Sequence, residues 1–478
     1  MATSANGTVQ KSYIGVFALA MISVAAVLSL RNYPTMAVYG WSSIAWYLIG
    51  TFLFIIPLSL AAAELASGWP EDGGTYIWVK EAFGERWGFV AVWCAFSQNL
   101  IWYPTVLSYI AVSFAAAINP ELGNNKLYNV VVMLGIFWGT ILINLRGTEI
   151  TSKMSSIGVI VGTLIPGVFI ILLWVAWMVM GKTNAIPFSA EALIPDLSLG
   201  NLPFVASMVL MFAGIEMCGY YAKSVKDPQK DFPKATFLAA IIIFVMSVVP
   251  TLALAWVVPS KEIDLNAGVI QALNVMFSGL GLEWMAPIMA LALGIGGVAL
   301  MTAWMVSPAL GLGVVAKEGL LPPMWSRYND KGIPVGVMML QGVIGTLFTI
   351  AYLMIPSIND AYWIMSAMTT EVLVIMYILV FGAVIKLRYN APDRPRPYRI
   401  PGGLAGVWII GGIGLIALLL AGYFGMMPPE GMDFISPAGY IGIMVAGTIA
   451  LSFTPILFLF FRKDSWREEA AKNLAKNG

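Results

Sequence analysis

The 478-residue chain is 59% hydrophobic and only 11% charged, with a net charge of +1 and no histidine. Soluble domains carry roughly 25% charged residues, so a mean hydropathy of +0.83 places the chain in a bilayer and leaves no basic surface for nucleic acid. Two cysteines, Cys94 and Cys218, fall in apolar segments and imply neither a disulfide framework nor a metal site; no cofactor pattern is present.

Apolar runs of about 20 residues, the length that crosses hydrocarbon, recur twelve times. The polar start Met1–Gln10 leads into the first run, which is too long for a cleavable signal. In chain order the expected spans are 13–39, 41–66, 87–118, 127–145, 154–180, 200–222, 235–258, 284–316, 334–355, 361–385, 405–427 and 436–461. A shorter, glycine-broken run at 267–282 reads as an interfacial helix. With the N-terminus inside, 22 of the 26 Lys and Arg residues fall on the inner side. Lys126, Lys182 and Lys261 fall outside, which is the asymmetry of a cytoplasmic face and puts both termini there.

The remaining basic residue is Arg31, inside the first span at Ser29-Leu30-Arg31-Asn32-Tyr33-Pro34. A charge at this depth normally faces a protein interior or a wet cavity. Pro34 removes a helical donor, so a helix break is expected between Ser29 and Pro34. Two readings of Arg31 stand: a receptor for a substrate carboxylate, or a structural group that snorkels to an interface or pairs with Glu216. The sixth span has Gly214 among bulky neighbours, a local weakening of about 1 kcal/mol relative to Ala.

Three motifs lie between the spans. The second span runs into Glu64-Leu65-Ala66-Ser67-Gly68-Trp69-Pro70, then Gly73-Gly74-Thr75-Tyr76 and Gly84-Glu85-Arg86-Trp87-Gly88-Phe89. The sixth carries Phe212-Ala213-Gly214-Ile215-Glu216, followed by Lys226-Asp227-Pro228 and Pro233. After the eighth come Ala316-Lys317-Glu318-Gly319-Leu320-Leu321-Pro322 and Gly332-Ile333-Pro334-Val335. Together they resemble the signatures of the amino acid–polyamine–organocation superfamily. Tyr33-Pro34-Thr35, Ala62-Ala63-Glu64, Val258-Pro259 with Glu262 to Val269, and Arg399-Ile400-Pro401-Gly402-Gly403 resemble its glutamate/γ-aminobutyrate antiporter group.

The resemblance implies an all-α membrane protein of twelve helices: two inverted five-helix repeats (LeuT-like), with helices 1 and 6 broken, plus two extra helices. The corresponding divisions are 1–12, 13–180, 200–385, 405–461 and a short inner tail, 462–478. It implies exchange of an acidic or neutral amino acid for a related one or for its decarboxylation product, in the cell membrane. A proton-coupled symporter and an aromatic amino acid/amine exchanger remain alternatives on the same scaffold. Substrate would meet Val27, Leu28, Ser29, Arg31, Phe212, Gly214, Ile215 and Trp304. Proton coupling or gating would fall to Glu216, Glu371 and Tyr33, with Trp102 and Tyr103 as further aromatic gates. Trp304 and the aromatic residues also admit plain packing, Glu216 a structural role, and Glu371 a place facing span 1 or bordering the cavity.

The chain departs from the superfamily in two places. Its Gly-Ser-Gly falls on Val27-Leu28-Ser29 here, and Lys223-Ser224 stands late in span 6. With only Lys463–Gly478 beyond the last span and no histidine, a C-terminal pH-gating plug is not expected.

Overall fold

The computed structural model describes residues 14–71, 73–195, 197, 202–216, 225–429, 432 and 435–477. The polar N-terminus, Cys218 and the Lys223-Ser224 pair lie outside them. The described residues are helical, with two isolated bridges, Ile14 to Val225 and Tyr328 to Pro334.

The first span is α1 (Val16–Val27) and, after a break, α2 (Tyr33–Ala37), bent by 49°. Ten helices or helical runs are long and apolar enough to cross a membrane. Before the sixth span come α3 (Gly40–Gly68), α5 (Glu85–Ile118), α6 (Lys126–Asn144) and α7 (Glu149–Val179), with α4 (Thr75–Phe83) on the loop after α3. The sixth span begins as α8 (Leu202–Phe212) and turns at Gly214. Then follow α9 (Pro228–Val257), the short α10 (Gly268–Leu280), α11 (Ala286–Lys317), α12 (Val335–Met354) and α13 (Ile358–Asn390). Last come α14 (Gly403–Gly425), α15 (Pro437–Phe460) and α16 (Asp464–Asn477). With the bent first span the described residues hold eleven crossings, and α8 is the described part of the sixth span expected at 200–222.

Burial separates scaffold from rim. The most apolar stretches of α5 and α13 are 72% and 78% buried, against 28% and 22% for α14 and α15. A helix apolar all round is buried or faces lipid, and here both cases occur: α5 packs along α11 and α13 at the centre, and α14 and α15 present their outer faces to hydrocarbon. In α3 and α7 a wide turn (Thr51–Ile55 and Ile160–Leu164) precedes Pro57 and Pro166, absorbing the donor that proline lacks. Gly162 of α7 meets Gly296 of α11 so closely that a Cβ on either would overlap the other's backbone. Such small-residue seams let membrane helices approach without a hydrophobic driving force.

Candidate functional site

The break in span 1 lies before the proline, not at it. Leu28 still donates to the Val24 carbonyl, but its ψ of 119° leaves the helix, and Ser29 is extended at φ −144°, ψ 120°. Pro34 then sits in the first turn of α2, where its missing N–H is not needed. The carbonyls of the last turn of α1 consequently have no donor within their own helix, a partial negative charge in mid-membrane.

Arg31 follows the break and is 2% exposed. Its Nη1 donates to the Thr105 hydroxyl at 2.8 Å, and that hydroxyl donates to the Trp102 carbonyl at 2.7 Å. The guanidinium lies 5.5 Å from the ring centre of Trp102 and 5.4 Å from that of Tyr362, whose hydroxyl donates to the Arg31 carbonyl at 3.4 Å. Among the described residues Nε has no hydrogen-bond partner and the side chain makes no ion pair. The structure corrects both structural alternatives: the group does not snorkel to a surface and does not pair with Glu216. Aromatic faces and one hydroxyl hold the cation in place without neutralising it.

Across from it, Gly214 has φ +101°, and a Cβ there would come within 2.9 Å of Trp304 and 3.1 Å of the Ala26 carbonyl. Only glycine suits both the backbone angle and the space. Glu216 turns back on this bend: its Oε2 accepts from the Gly214 N–H at 3.0 Å, and the Tyr377 hydroxyl donates to its carboxylate at 3.1 Å. Its place is therefore that of a clamp between span 6 and α13.

Two cavities meet at this junction. The smaller, about 30 Å³, is lined by Val27, Ser29, Arg31, Asn32, Gln98, Asn99 and Trp102 among others. The larger, about 190 Å³, extends past Glu216 and Tyr377 to Thr75 and Ser155 on the side that carries the basic loops. Ala26, Gln98, Leu300 and Trp304 line both, so the indole forms part of the partition between them. The small one has room for a water or two and not for an amino acid. Asn99 donates to the Ala95 carbonyl at 2.8 Å, leaving its Oδ1 buried and without a donor among the described residues.

Other expected residues lie elsewhere. Phe212 is fully buried, with its ring beside Tyr47 and against Gly50 of α3. Tyr33 is anchored by donation to the Met246 carbonyl of α9 at 2.7 Å. Leu28 and Ile215 are buried in the core and border neither cavity. Tyr103 reaches Gln341 at 3.3 Å and packs on Phe137. Glu371 faces neither span 1 nor the cavity but the glycines of α14. In their place stand Gln98, Asn99, Thr105 and Tyr362. The run Ser97-Gln98-Asn99 within an apolar span was the readable signal for the first two.

The side that carries the basic loops holds a second set of buried charges. Glu64 of α3, 1% exposed, accepts from Arg388 Nε at 2.5 Å and Nη2 at 2.7 Å, and from the Ile400 N–H at 2.8 Å. Arg396 lies 3.7 Å from the same carboxylate; burial lowers its guanidinium from the ordinary value while Glu64 acts against that. Nearby, Glu318 at the end of α11 takes Lys80 Nζ at 2.8 Å and the Tyr76 hydroxyl. Burial and then the bond to Glu318 raise that hydroxyl above the usual tyrosine range. These contacts tie α3, α4, α11 and α13 together below the large cavity.

The sequence model of the amino acid permease family matches residues 14–453. An uncharacterised transporter of Legionella pneumophila is 38% identical over 94% of this chain and 97% of its own length. Two glutamate/γ-aminobutyrate antiporters of Lactococcus lactis are 28% and 29% identical, each over 93% of this chain and over 90% and 89% of their own lengths.

Proposed function

We propose that this chain, which belongs to the amino acid permease family, is an exchanger that carries an acidic or neutral amino acid one way and a related amino acid or its decarboxylation product the other. It is a multi-pass membrane transporter, and the proposal concerns its mode and its cargo. The observation that carries it is the uncompensated Arg31 guanidinium in a cavity that also holds an unpaired Asn99 acceptor. A carboxylate on Arg31 Nε and an ammonium near Asn99 Oδ1 and the end of α1 would satisfy both orphans at once. A dication such as agmatine or putrescine would meet repulsion instead, with no carboxylate in the cavity to offset it. Glutamate and γ-aminobutyrate, the cargo of the antiporters named above, both fit this pattern.

In this reading the large cavity is the vestibule of an inward-facing form, and Trp304 must swing for substrate to pass from it to Arg31. The repeats at 13–180 and 200–385 then rock about the fixed site, with Glu216 holding the bend of span 6 to α13. The 22-to-3 distribution of basic residues supports a cytoplasmic vestibule and both termini inside the cell membrane.

Counterflow in proteoliposomes tests it. Labelled glutamate should accumulate in vesicles preloaded with glutamate or γ-aminobutyrate and stay near background in empty ones. Equal entry into empty vesicles driven by a proton gradient would instead make the chain a symporter.

A further inference from the structure

Glu371 lies in the middle of α13 and is 3% exposed. Its carboxyl points away from both cavities, into the seam where α13 meets α14 and α8. A Cβ at Gly425 would collide with Oε1, and one at Gly422 would lie 3.3 Å from Oε2. Ala206 of α8 closes on the same Gly425. A carboxyl fits here because α14 presents two glycines to it.

The surroundings offer it nothing ionic. Among the described residues Oε1 has no hydrogen-bond partner, and Glu371 makes no ion pair. The titratable group facing it from α15 is Tyr440, whose hydroxyl accepts from Trp363 Nε1 at 3.1 Å and donates to the Gly425 carbonyl at 3.3 Å. Gly422 and Gly425 of α14 and Ala206 of α8 carry no charge. Glu64 of α3 is held at the inner end by Arg388, and Thr370 on its own helix donates to the Ser366 carbonyl at 3.0 Å. Glu64 and Glu216, the other carboxyls deep in the described spans, both have donors. A bare carboxylate in such a seam would have to recruit water or a cation, and neither has room while α8 sits on α14.

We propose that Glu371 is a proton-binding switch: the neutral acid lets α8 close on α14 as seen here, and loss of the proton drives α8 away and opens the outer side of the Arg31 cavity. The link to that cavity is direct, because α8 carries Leu210 and Met211, which line it, and Ser207, which lines the small pocket beyond. Raising the pH therefore favours the outward-open arrangement and lowering it favours the one described. The switch is separate from the substrate site, and its readout needs no substrate, so it stands or falls apart from the exchange reading.

The test is labelling of Ser207→Cys, with Cys94 and Cys218 replaced by Ser, by a membrane-impermeant maleimide in intact proteoliposomes. After correction for the intrinsic reactivity of thiolate, labelling should rise on the order of 10-fold between about pH 5 and about pH 8, as the carboxyl of a two-state element loses its proton. Glu371→Gln should hold the low rate at both values, and Glu371→Asp should keep a pH response. A corrected rate that is flat with pH before Glu371 is changed would overturn the proposal, with no variant needed. A Glu371→Gln protein that elutes as a single species and still follows pH would overturn it too.

Discussion

Two buried arginine sites in this protein show opposite solutions to the same problem. On the side of the basic loops, Arg388 and Arg396 share Glu64, and the carboxylate also takes the Ile400 N–H. In the small cavity at the break of span 1, Arg31 is as deeply buried and has aromatic faces and the Thr105 hydroxyl, but no acid among the described residues. A buried charge with its counter-charge built in ties helices together. One without it is costly in the empty state and becomes worthwhile only if an anion arrives. The contrast separates a structural cluster from a binding site more cleanly than burial does, since both arginine sites are buried.

That contrast can be broken by exchanging the roles. Glu64→Gln should have the largest effect: it leaves two guanidinium groups facing a neutral amide, a loss of about 3–5 kcal/mol, read as a lower thermal unfolding midpoint in detergent. Affinity for the best ligand should change little in whatever protein remains folded. Arg31→Ala should do the reverse, cutting counterflow on the order of 100-fold through loss of a desolvated charge pair with substrate, while the midpoint stays within a few degrees. If Arg31→Ala unfolds the protein as Glu64→Gln does, the two sites are alike and Arg31 is structural. Lys80→Gln should matter least. Its pair with Glu318 is about 30% exposed at each partner, so about 0–1 kcal/mol is expected, and its loss should show chiefly at low salt.

Much of the architecture was legible because membrane spans are apolar runs bounded by charge. The expected spans 87–118 and 284–316 meet helices Glu85–Ile118 and Ala286–Lys317 almost to the residue. Arg31 and Gly214 were legible for a related reason: each violates the local rule, one as a charge in hydrocarbon and the other as a glycine among bulky residues. The break, expected between Ser29 and Pro34, was legible to within a residue of where it opens, at Leu28 and Ser29, but its cause was not. Pro34 drew the expectation toward itself, but proline is harmless in a first turn, and the chain leaves the helix at Leu28 where Ala26 meets Gly214. Asn99 and Thr105 could not be matched to Arg31, because they lie on another span and meet it only through packing. Phe212, Tyr33 and Glu371 lie off the cavities for the converse reason: each is on a span near the site, with its side chain turned into a helix seam instead.

By itself, the sequence determined the membrane class, the number of crossings, the side that bears the basic loops, and one cation at depth. These follow from hydropathy and charge, which add along the chain whatever the neighbours are. Only the tertiary structure decided which residues surround that cation, which acid is clamped, and which is left alone between helices. A membrane helix is apolar on its lipid face and its protein face alike, so its rotation is written in packing and not in periodicity.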